Sequence, residues 1–313
     1  HAEVNAVRSA QCDLTGATVY VTLEPCSHYG KTPPCAELLI EKKVGRVVIG
    51  SRDPNPLVSG RGAQKLRDAG IEVVTDFLRA ECDAMNRVFF HYITTKTPYV
   101  VMKTAMSLDG KIAAQNGESK WITGEAARQD VQHLRHRLAG IMVGVNTVLQ
   151  DDPQLTCRLE YGANPTRIIV DSALRIPLTA KVLQNQELAP TILATTEKAS
   201  PEQKKALEAM GVTVLVCKER EGRVDLSDLM ARLGGRKLDS ILLEGGSTLN
   251  DSALRQGVVQ EVITYIAPKL IGGAQSKTPV GGVGVAHLQD ASQVTGLQVQ
   301  QIGEDWKFTG YLQ

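Results

Sequence analysis

Three side chains that bind borderline and soft metals stand near the start of the chain: His1, Cys26 and Cys35. Glu3 lies two residues from the histidine, and Pro25 directly precedes the first cysteine. One imidazole and two thiolates supply three ligands of a catalytic zinc (Zn2+) and leave a fourth position for water. Zinc lowers the pKa of that water enough to furnish a nucleophile near neutral pH. Glu3 suits proton transfer rather than metal binding, taking a proton from water and passing it to a departing amine. Residues two apart do not share a helix face, so the His1–Glu3 pair is expected at a first turn, where both reach one point. Cys35 is expected to open a helix, where the dipole favours a thiolate.

The order H-x-E then P-C is the signature of hydrolytic nucleobase deaminases, although eight residues here separate cysteines that usually have two between them. Two packed cysteines and a surface histidine are the plain alternative, and the correct order of His, Glu and Pro-Cys weighs against it. The spacer Ser27-His28-Tyr29-Gly30-Lys31-Thr32-Pro33-Pro34 is polar, cationic and turn-rich, as a loop gripping a phosphorylated substrate should be. Further on, Asp53-Pro54-Asn55-Pro56 precedes Gly60-Arg61-Gly62. By residue type alone, Asp53 and Asn55 are more often turn-formers than ligands.

A second set of chemical residues begins past residue 96. Leu243-Glu244-Gly245-Gly246-Ser247-Thr248-Leu249 reads as a strand running into Glu-Gly-Gly and then directly into a helix. Glycines there let a ligand approach the backbone, and a helix start offers unpaired N–H groups to phosphate. A plain connection with Ser247 as N-cap is equally compatible with that motif alone. Lys103-Thr104-Ala105-Met106-Ser107-Leu108-Asp109-Gly110-Lys111 adds an amine, hydroxyls and a carboxylate ahead of an Asp-Gly turn. Ser119 and Trp121 follow in a polar loop, then Arg135, Thr147, Asp151, Leu155, Arg158 and Ser172. Gly282-Val283-Gly284 lacks the strand-to-helix context of a Rossmann fingerprint and reads as a flexible loop.

The elements that must position these residues alternate along the chain. Residues 1–11, 35–43, 61–69 and 78–93 read as helices, the last as one longer helix; 18–23, 46–50 and 71–75 read as strands. The boundary is expected near residue 96, giving a domain over 1–95 and a second over 96–313. In the second, strands are expected at 99–105, 140–145, 167–171, 191–195, 212–216, 239–243 and 259–266. Helices are expected at 124–138, 201–210, 225–233 and 247–256, with a closing β-hairpin over 295–312. Strands separated by helices imply parallel sheets and an α/β class for both domains.

Composition bounds the rest. A net charge of +1 and only 4% aromatic residues over 313 residues argue against a nucleic-acid-coating surface or a cationic, aromatic-lined channel. The apolar runs are too short to cross a bilayer. Six cysteines in so long a chain are not a disulfide framework, so a reduced, cytoplasmic setting is expected. The remaining histidines have no partner at metal-ligand spacing. A homodimer or higher homo-oligomer is the default expectation, and no isolated arginine announces a 2′-phosphate site. The chain starts at His1, inside its first motif, so residues upstream are expected in the natural protein.

EPCSHYGKTPPC, followed by DPNP and GRG, resembles the deaminase half of the bifunctional riboflavin-biosynthesis deaminase/reductase family. KTAMSLDGK, the GESKWIT loop, TVLQDDP and LLEGGSTLN resemble its reductase half, so the likeness runs the length of the chain. It implies a cytidine-deaminase-like α/β/α sandwich followed by a dihydrofolate-reductase-like α/β domain. It also implies zinc on His1, Cys26 and Cys35, proton transfer by Glu3, and contacts from His28, Lys31, Asp53 and Asn55 to a phosphoribosylated pyrimidine. Two strands and a helix would precede His1. In the second half it implies NADPH held by Ala105, Trp121, Thr147, Asp151, Ser172 and Gly246, Ser247, Thr248, Leu249, Asn250, Asp251, Ser252. Ser119, Arg135, Leu155, Arg158 and Glu244 would hold the substrate, the two arginines suiting its phosphate. Lys103, Asp109 and Glu244 would assist proton movement as hydride reaches C1′ of the ribose. The competing readings are a nucleic-acid-type deaminase fused to a binding domain, and a reductase with an inactive or metal-free deaminase module.

Overall fold

The computed structural model describes residues 1–29, 33–55 and 59–312. Two compact units divide the chain, His1–Lys96 and Thr97–Gln313.

The first unit is built on a parallel sheet of β1 (Thr18–Leu23), β2 (Arg46–Ser51) and β3 (Glu72–Val74), in that order. Helix α1 (Ala2–Ser9) precedes the sheet; α2 (Cys35–Glu41) and α3 (Arg61–Asp68) are its crossovers. Alternation in β1 turns Val19 and Val21 toward Ala36, Leu39, Ala63 and Leu66 of the two crossover helices, the period-2 pattern of a sheet face. The loops leaving the carboxyl ends of β1 and β2 carry the Pro-Cys and Asp-Pro-Asn segments. The helix expected over 78–93 is instead two, α4 (Arg79–Met85) and α5 (Arg87–Thr95). The break falls at Asn86, whose side-chain amide donates to Cys82 O at 2.9 Å. An asparagine that satisfies a carbonyl from its side chain favours a cap over continuation.

The second unit holds a nine-stranded sheet. Its strands are β4 (Tyr99–Ser107), β5 (Gly140–Gly144), β6 (Thr166–Val170), β7 (Thr191–Thr195), β8 (Thr213–Val216), β11 (Ser240–Leu243), β12 (Glu261–Ala267), β13 (Val294–Ile302) and β14 (Asp305–Leu312). The strand order is β13-β14-β12-β4-β11-β5-β6-β7-β8. β4 to β8, β11 and β12 are parallel; β14 pairs antiparallel to β12, and β13 pairs antiparallel to β14 in the closing hairpin. A two-residue ribbon of β9 (Glu219–Arg220) and β10 (Arg223–Val224) stands apart. The helices are α6 (Glu125–Arg137), α7 (Val145–Asp151), α8 (Pro201–Ala209), α9 (Leu226–Gly235) and α10 (Ser247–Arg255).

Neighbouring residues on the central strands enter opposite cores. Met142 and Ile168 pack with Leu229, Leu233 and Ala253 of α9 and α10. Ile141, Val143 and Ile169 pack with Val148 and Leu207 of α7 and α8. A parallel sheet covered on both faces reads as unbroken apolar runs, as Ile141-Met142-Val143 and Ile168-Ile169-Val170 do. The chain runs outward from β4 through β5 to β8, then returns to insert β11 between β4 and β5. Such a reversal opens a crevice at the carboxyl ends of the strands, where open α/β sheets bind ligands.

Candidate functional site

In the first unit, His1, Cys26 and Cys35 bring their donor atoms within 4.8 Å of one another. His1 Nδ1 is 3.2 Å from Cys35 Sγ and 3.6 Å from Cys26 Sγ. Donors sharing a tetrahedral zinc at its usual bond lengths stand roughly 3.5–3.8 Å apart, so the set fits that ion. Cys35 is the first residue of α2, and its N–H donates to Cys26 Sγ at 3.2 Å. Burial pushes the Cys35 thiol up, and the charges of Glu3 and Cys26 beside it push further. Glu3 sits in the first turn of α1.

Glu24 and Gly62, to which the sequence assigned no role, hold this cluster in place. Glu24 is buried, and its carboxylate accepts from Gly60 N at 2.9 Å, Ala63 N at 3.0 Å and Asp53 N at 3.4 Å. It thereby ties the end of β1, next to Pro25-Cys26, to the start of α3 and to the Asp-Pro-Asn loop. Gly62 lies against the Pro25 carbonyl so closely that a Cβ there would be 2.0 Å from the oxygen. Asp53 is buried and accepts from Asn55 N at 2.8 Å, the turn-forming role that residue type favours. Burial raises its pKa, the Asn55 N–H lowers it, and the Glu24 charge raises it again. His28 is exposed and near enough for its charge to act on Asp53. Lys31 lies outside the described residues.

In the second unit, a cleft of about 820 Å³ lies along the carboxyl ends of β4, β11, β5 and β6. Lys103, Ala105, Ser119, Thr147, Asp151, Ser172, Glu244, Gly246, Ser247, Thr248, Leu249, Asn250 and Ser252 all line it. Gly245 and Gly246 act differently there. A Cβ on Gly245 would meet Asn250 Oδ1 at 2.6 Å and Leu249 Cβ at 3.2 Å, whereas Gly246 faces open space. The first glycine lets strand and helix pack; the second keeps the cleft clear at the N-terminus of α10. Asn250 is buried, its amide donates to Pro279 O at 2.9 Å, and its Oδ1 has no partner among the described residues. A helix start beside the open space over Gly246 fits a ligand that offers phosphate.

Glu244 is gripped by Arg135, with Nε to Oε1 at 2.8 Å and Nη2 to Oε2 at 3.1 Å, while Lys103 Nζ lies 4.0 Å from Oε2. Burial alone would raise Glu244, but Arg135 and Lys103 outweigh it and hold the carboxyl at about 2. Burial lowers the Lys103 ammonium, partly opposed by Glu244 and reinforced by Arg135. Lys103 also sits 6.0 Å above the ring of Tyr265, which is buried and donates to Asp130 at 2.6 Å.

Several expected residues are placed elsewhere. Asp109 does not line the cleft: its carboxylate accepts from Ser107 Oγ at 2.5 Å, Ile271 N at 3.1 Å and Gly272 N at 2.6 Å. The Ser107 hydroxyl and those two N–H groups hold it at about 2, so it anchors a turn. Trp121 is 58% exposed and stacks on Arg128, outside the cleft lining. Leu155 is a core residue and Asp251 pairs with Arg255. Arg135 is committed to Glu244 and to Thr156 O at 3.1 Å rather than open to a phosphate. Arg158 is outside the lining, though its charge reaches Glu244. Sequence reasoning missed Asn146, Arg175, Arg223 and Lys277, which do line the cleft.

Fold and sites together define a two-unit enzyme that pairs a nucleobase-deaminase-type zinc site with a reductase cleft for a nicotinamide dinucleotide. Comparison with known proteins narrows this. Residues 1–51 match the cytidine and deoxycytidylate deaminase zinc-binding region, and residues 98–308 match the RibD C-terminal domain. The riboflavin biosynthesis protein RibD of Actinobacillus pleuropneumoniae is 54% identical over 305 residues, covering 97% of this chain and 81% of that protein. Its Escherichia coli counterpart is 39% identical, covering 97% and 84%. Acinetobacter baumannii RibD superposes with a TM-score of 0.88 at 38% identity, covering 100% of this chain and 85% of that one. A Thermotoga maritima diaminohydroxyphosphoribosylaminopyrimidine deaminase/5-amino-6-(5-phosphoribosylamino)uracil reductase superposes with a TM-score of 0.85 at 34% identity, covering 99% and 83%. The chain belongs to the RibD family of bifunctional riboflavin-biosynthesis enzymes.

Proposed function

We propose that the chain performs two consecutive reactions on one phosphoribosylated pyrimidine. The first unit hydrolyses an amino group from 2,5-diamino-6-(5-phosphoribosylamino)pyrimidin-4-one, releasing ammonia and giving the uracil. The second reduces the ribosyl side chain of that product to ribityl with NADPH. The observation that carries the reading is the meeting of His1, Cys26 and Cys35 at one point, in the same chain as a cleft running from Lys103–Glu244 to Ser172.

His1, Cys26 and Cys35 hold zinc, which when bound supplies the Lewis acidity that makes water nucleophilic near neutral pH. Glu3 takes the proton from the attacking water and delivers it to the leaving amine nitrogen. Asp53, Asn55, His28 and Lys31 orient the base and its ribose phosphate. NADPH supplies hydride to C1′ of the ribose. Gly246, Ser247 and Thr248 at the start of α10 receive its pyrophosphate. Lys103 donates a proton to the ring oxygen as the C1′–O bond opens, and its burial makes it a stronger acid than an exposed lysine. Glu244 keeps the ammonium in place, and Arg135 keeps Glu244 ionised.

Glu3→Ala tests the division of labour. Ammonia release from the diaminopyrimidine should vanish, while NADPH oxidation with the deaminated intermediate and the zinc content should stay at wild-type values. Equal loss of both activities would refute two separate sites.

A further inference from the structure

The far end of the cleft carries two arginines that the two reactions above leave without a role. Arg175 and Arg223 both line the cleft and both are exposed. They come from separate segments: Arg175 follows β6, and Arg223 opens the short strand β10. The Ser172 hydroxyl ties those segments together by accepting from Val224 N at 3.1 Å, and its own proton is left to donate. Arg175 Nη2 donates to Asn146 Oδ1 at 2.9 Å, which aims the guanidinium without neutralising it. Arg223 has no ion-pair partner among the described residues.

The exposed carboxylates nearby are paired: Glu221 accepts from both terminal nitrogens of Arg255, Glu219 pairs with Lys198, and Asp151 pairs with Lys120. The buried Asp171 accepts from Ile176 N through Oδ2, and its Oδ1 has no partner among the described residues. Two exposed arginines against that one buried carboxylate leave a net positive charge and a free hydroxyl proton at this end of the cleft, the chemistry of a phosphate monoester site.

The sheet sets its distance from the reacting end. Lys103 stands on β4 and Ser172 follows β6, three inter-strand steps away along β4-β11-β5-β6, on the order of 14 Å. Between them α10 begins directly after β11. A dinucleotide with its nicotinamide at Lys103 and its pyrophosphate at α10 therefore brings its adenosine ribose to Ser172. The geometry points to Arg175, Arg223 and Ser172 as the residues that select NADPH over NADH by holding the 2′-phosphate of that ribose. The inference rests on the reading of the cleft as the dinucleotide site.

The test is equilibrium binding of NADPH and NADH, followed by cofactor fluorescence, to wild type, to Arg175→Gln, to Arg223→Gln and to the double variant. A charge-assisted hydrogen bond lost per arginine should weaken NADPH roughly tenfold for each single change, with NADH altered by less than about twofold. Arg223→Lys, which keeps the charge, should recover part of the NADPH affinity. The salt sensitivity of NADPH binding should fall in the double variant. Equal weakening of both cofactors, or no change in either, would overturn the assignment while leaving the cleft reading intact. A wild-type protein that binds neither dinucleotide would remove the cleft reading, and this assignment with it.

Discussion

At the end of the three-stranded sheet, two thiols and an imidazole crowd one point, and burial together with the Glu3 and Cys26 charges drives the Cys35 thiol up. In the cleft of the nine-stranded sheet, the buried Glu244 carboxylate meets Arg135 and Lys103 and is held at about 2. The first cluster gathers donors whose charge a divalent cation would balance. The second sets two cations, Arg135 and Lys103, against one buried carboxylate, and a ligand entering it meets the positive charge left over. Metal-dependent and dinucleotide-dependent chemistry thus differ here in the sign of the charge that the chain leaves for a ligand to balance.

If the cleft's charges are set by the chain, removing Lys103 should cost catalysis far more than binding. Lys103→Met should lower the rate constant for reduction on the order of a hundred- to ten-thousand-fold, the range of a general acid. NADPH affinity should be little changed. In the wild type, the rate should fall on the alkaline side at a pH below the ordinary lysine range, because burial lowers the Lys103 ammonium. Stopped-flow loss of nicotinamide absorbance against pH measures both. Unchanged reduction in Lys103→Met would remove the lysine from the chemistry.

The stability of the Glu244–Arg135–Lys103 triad comes next. Glu244→Gln leaves Arg135 and Lys103 facing each other without their counter-charge, and breaking a buried pair this way costs about 3–5 kcal/mol. The sign with pH is fixed by the depressed carboxyl. Its contribution is fully present above the unfolded carboxylate pKa of about 4.3 and is lost as pH falls toward about 2. Thermal melts of wild type and variant should therefore converge as pH drops through that window. A constant gap would show that charge is not what the glutamate contributes.

How far the sequence reached follows the same division. The meeting of His1, Cys26 and Cys35 was legible because their chemistry resides in residue type and spacing. The residues that hold them, Glu24 and Gly62, were not, since a carboxylate capping three N–H groups and a glycine against a distant carbonyl arise only on folding. The parallel, doubly covered sheet was legible from unbroken apolar runs, and the hairpin at the end from alternation. The seven-residue helix α7 and the ribbon β9–β10 were too short to show a period. Trp121 and Asp109 came from the family resemblance and the Asp-Gly turn, and side-chain partners formed only on folding place them: the first stacks on a surface arginine, the second anchors a turn. Arg175 and Arg223, 48 positions apart in an ordinary charged background, could be paired only once β6 and β10 were seen to share the Ser172 hydroxyl.

The smallest effect separates packing from ligand contact inside one dipeptide. Gly245→Ala forces a methyl against Asn250 Oδ1 at 2.6 Å and Leu249 at 3.2 Å, where the strand meets the helix. Overpacking of that kind costs ~1–3 kcal/mol and should lower the melting temperature in the absence of any cofactor. Gly246→Ala meets nothing within 4 Å and has an extended N-cap backbone that any residue adopts, so its melt should match wild type. Its methyl would instead stand in the cleft where the pyrophosphate is received, weakening NADPH and NADH alike. The two variants therefore trade places between a melting curve and a binding curve. Should Gly246→Ala bind both cofactors normally, the start of α10 is not where the pyrophosphate rests, and the dinucleotide crosses the cleft along another path.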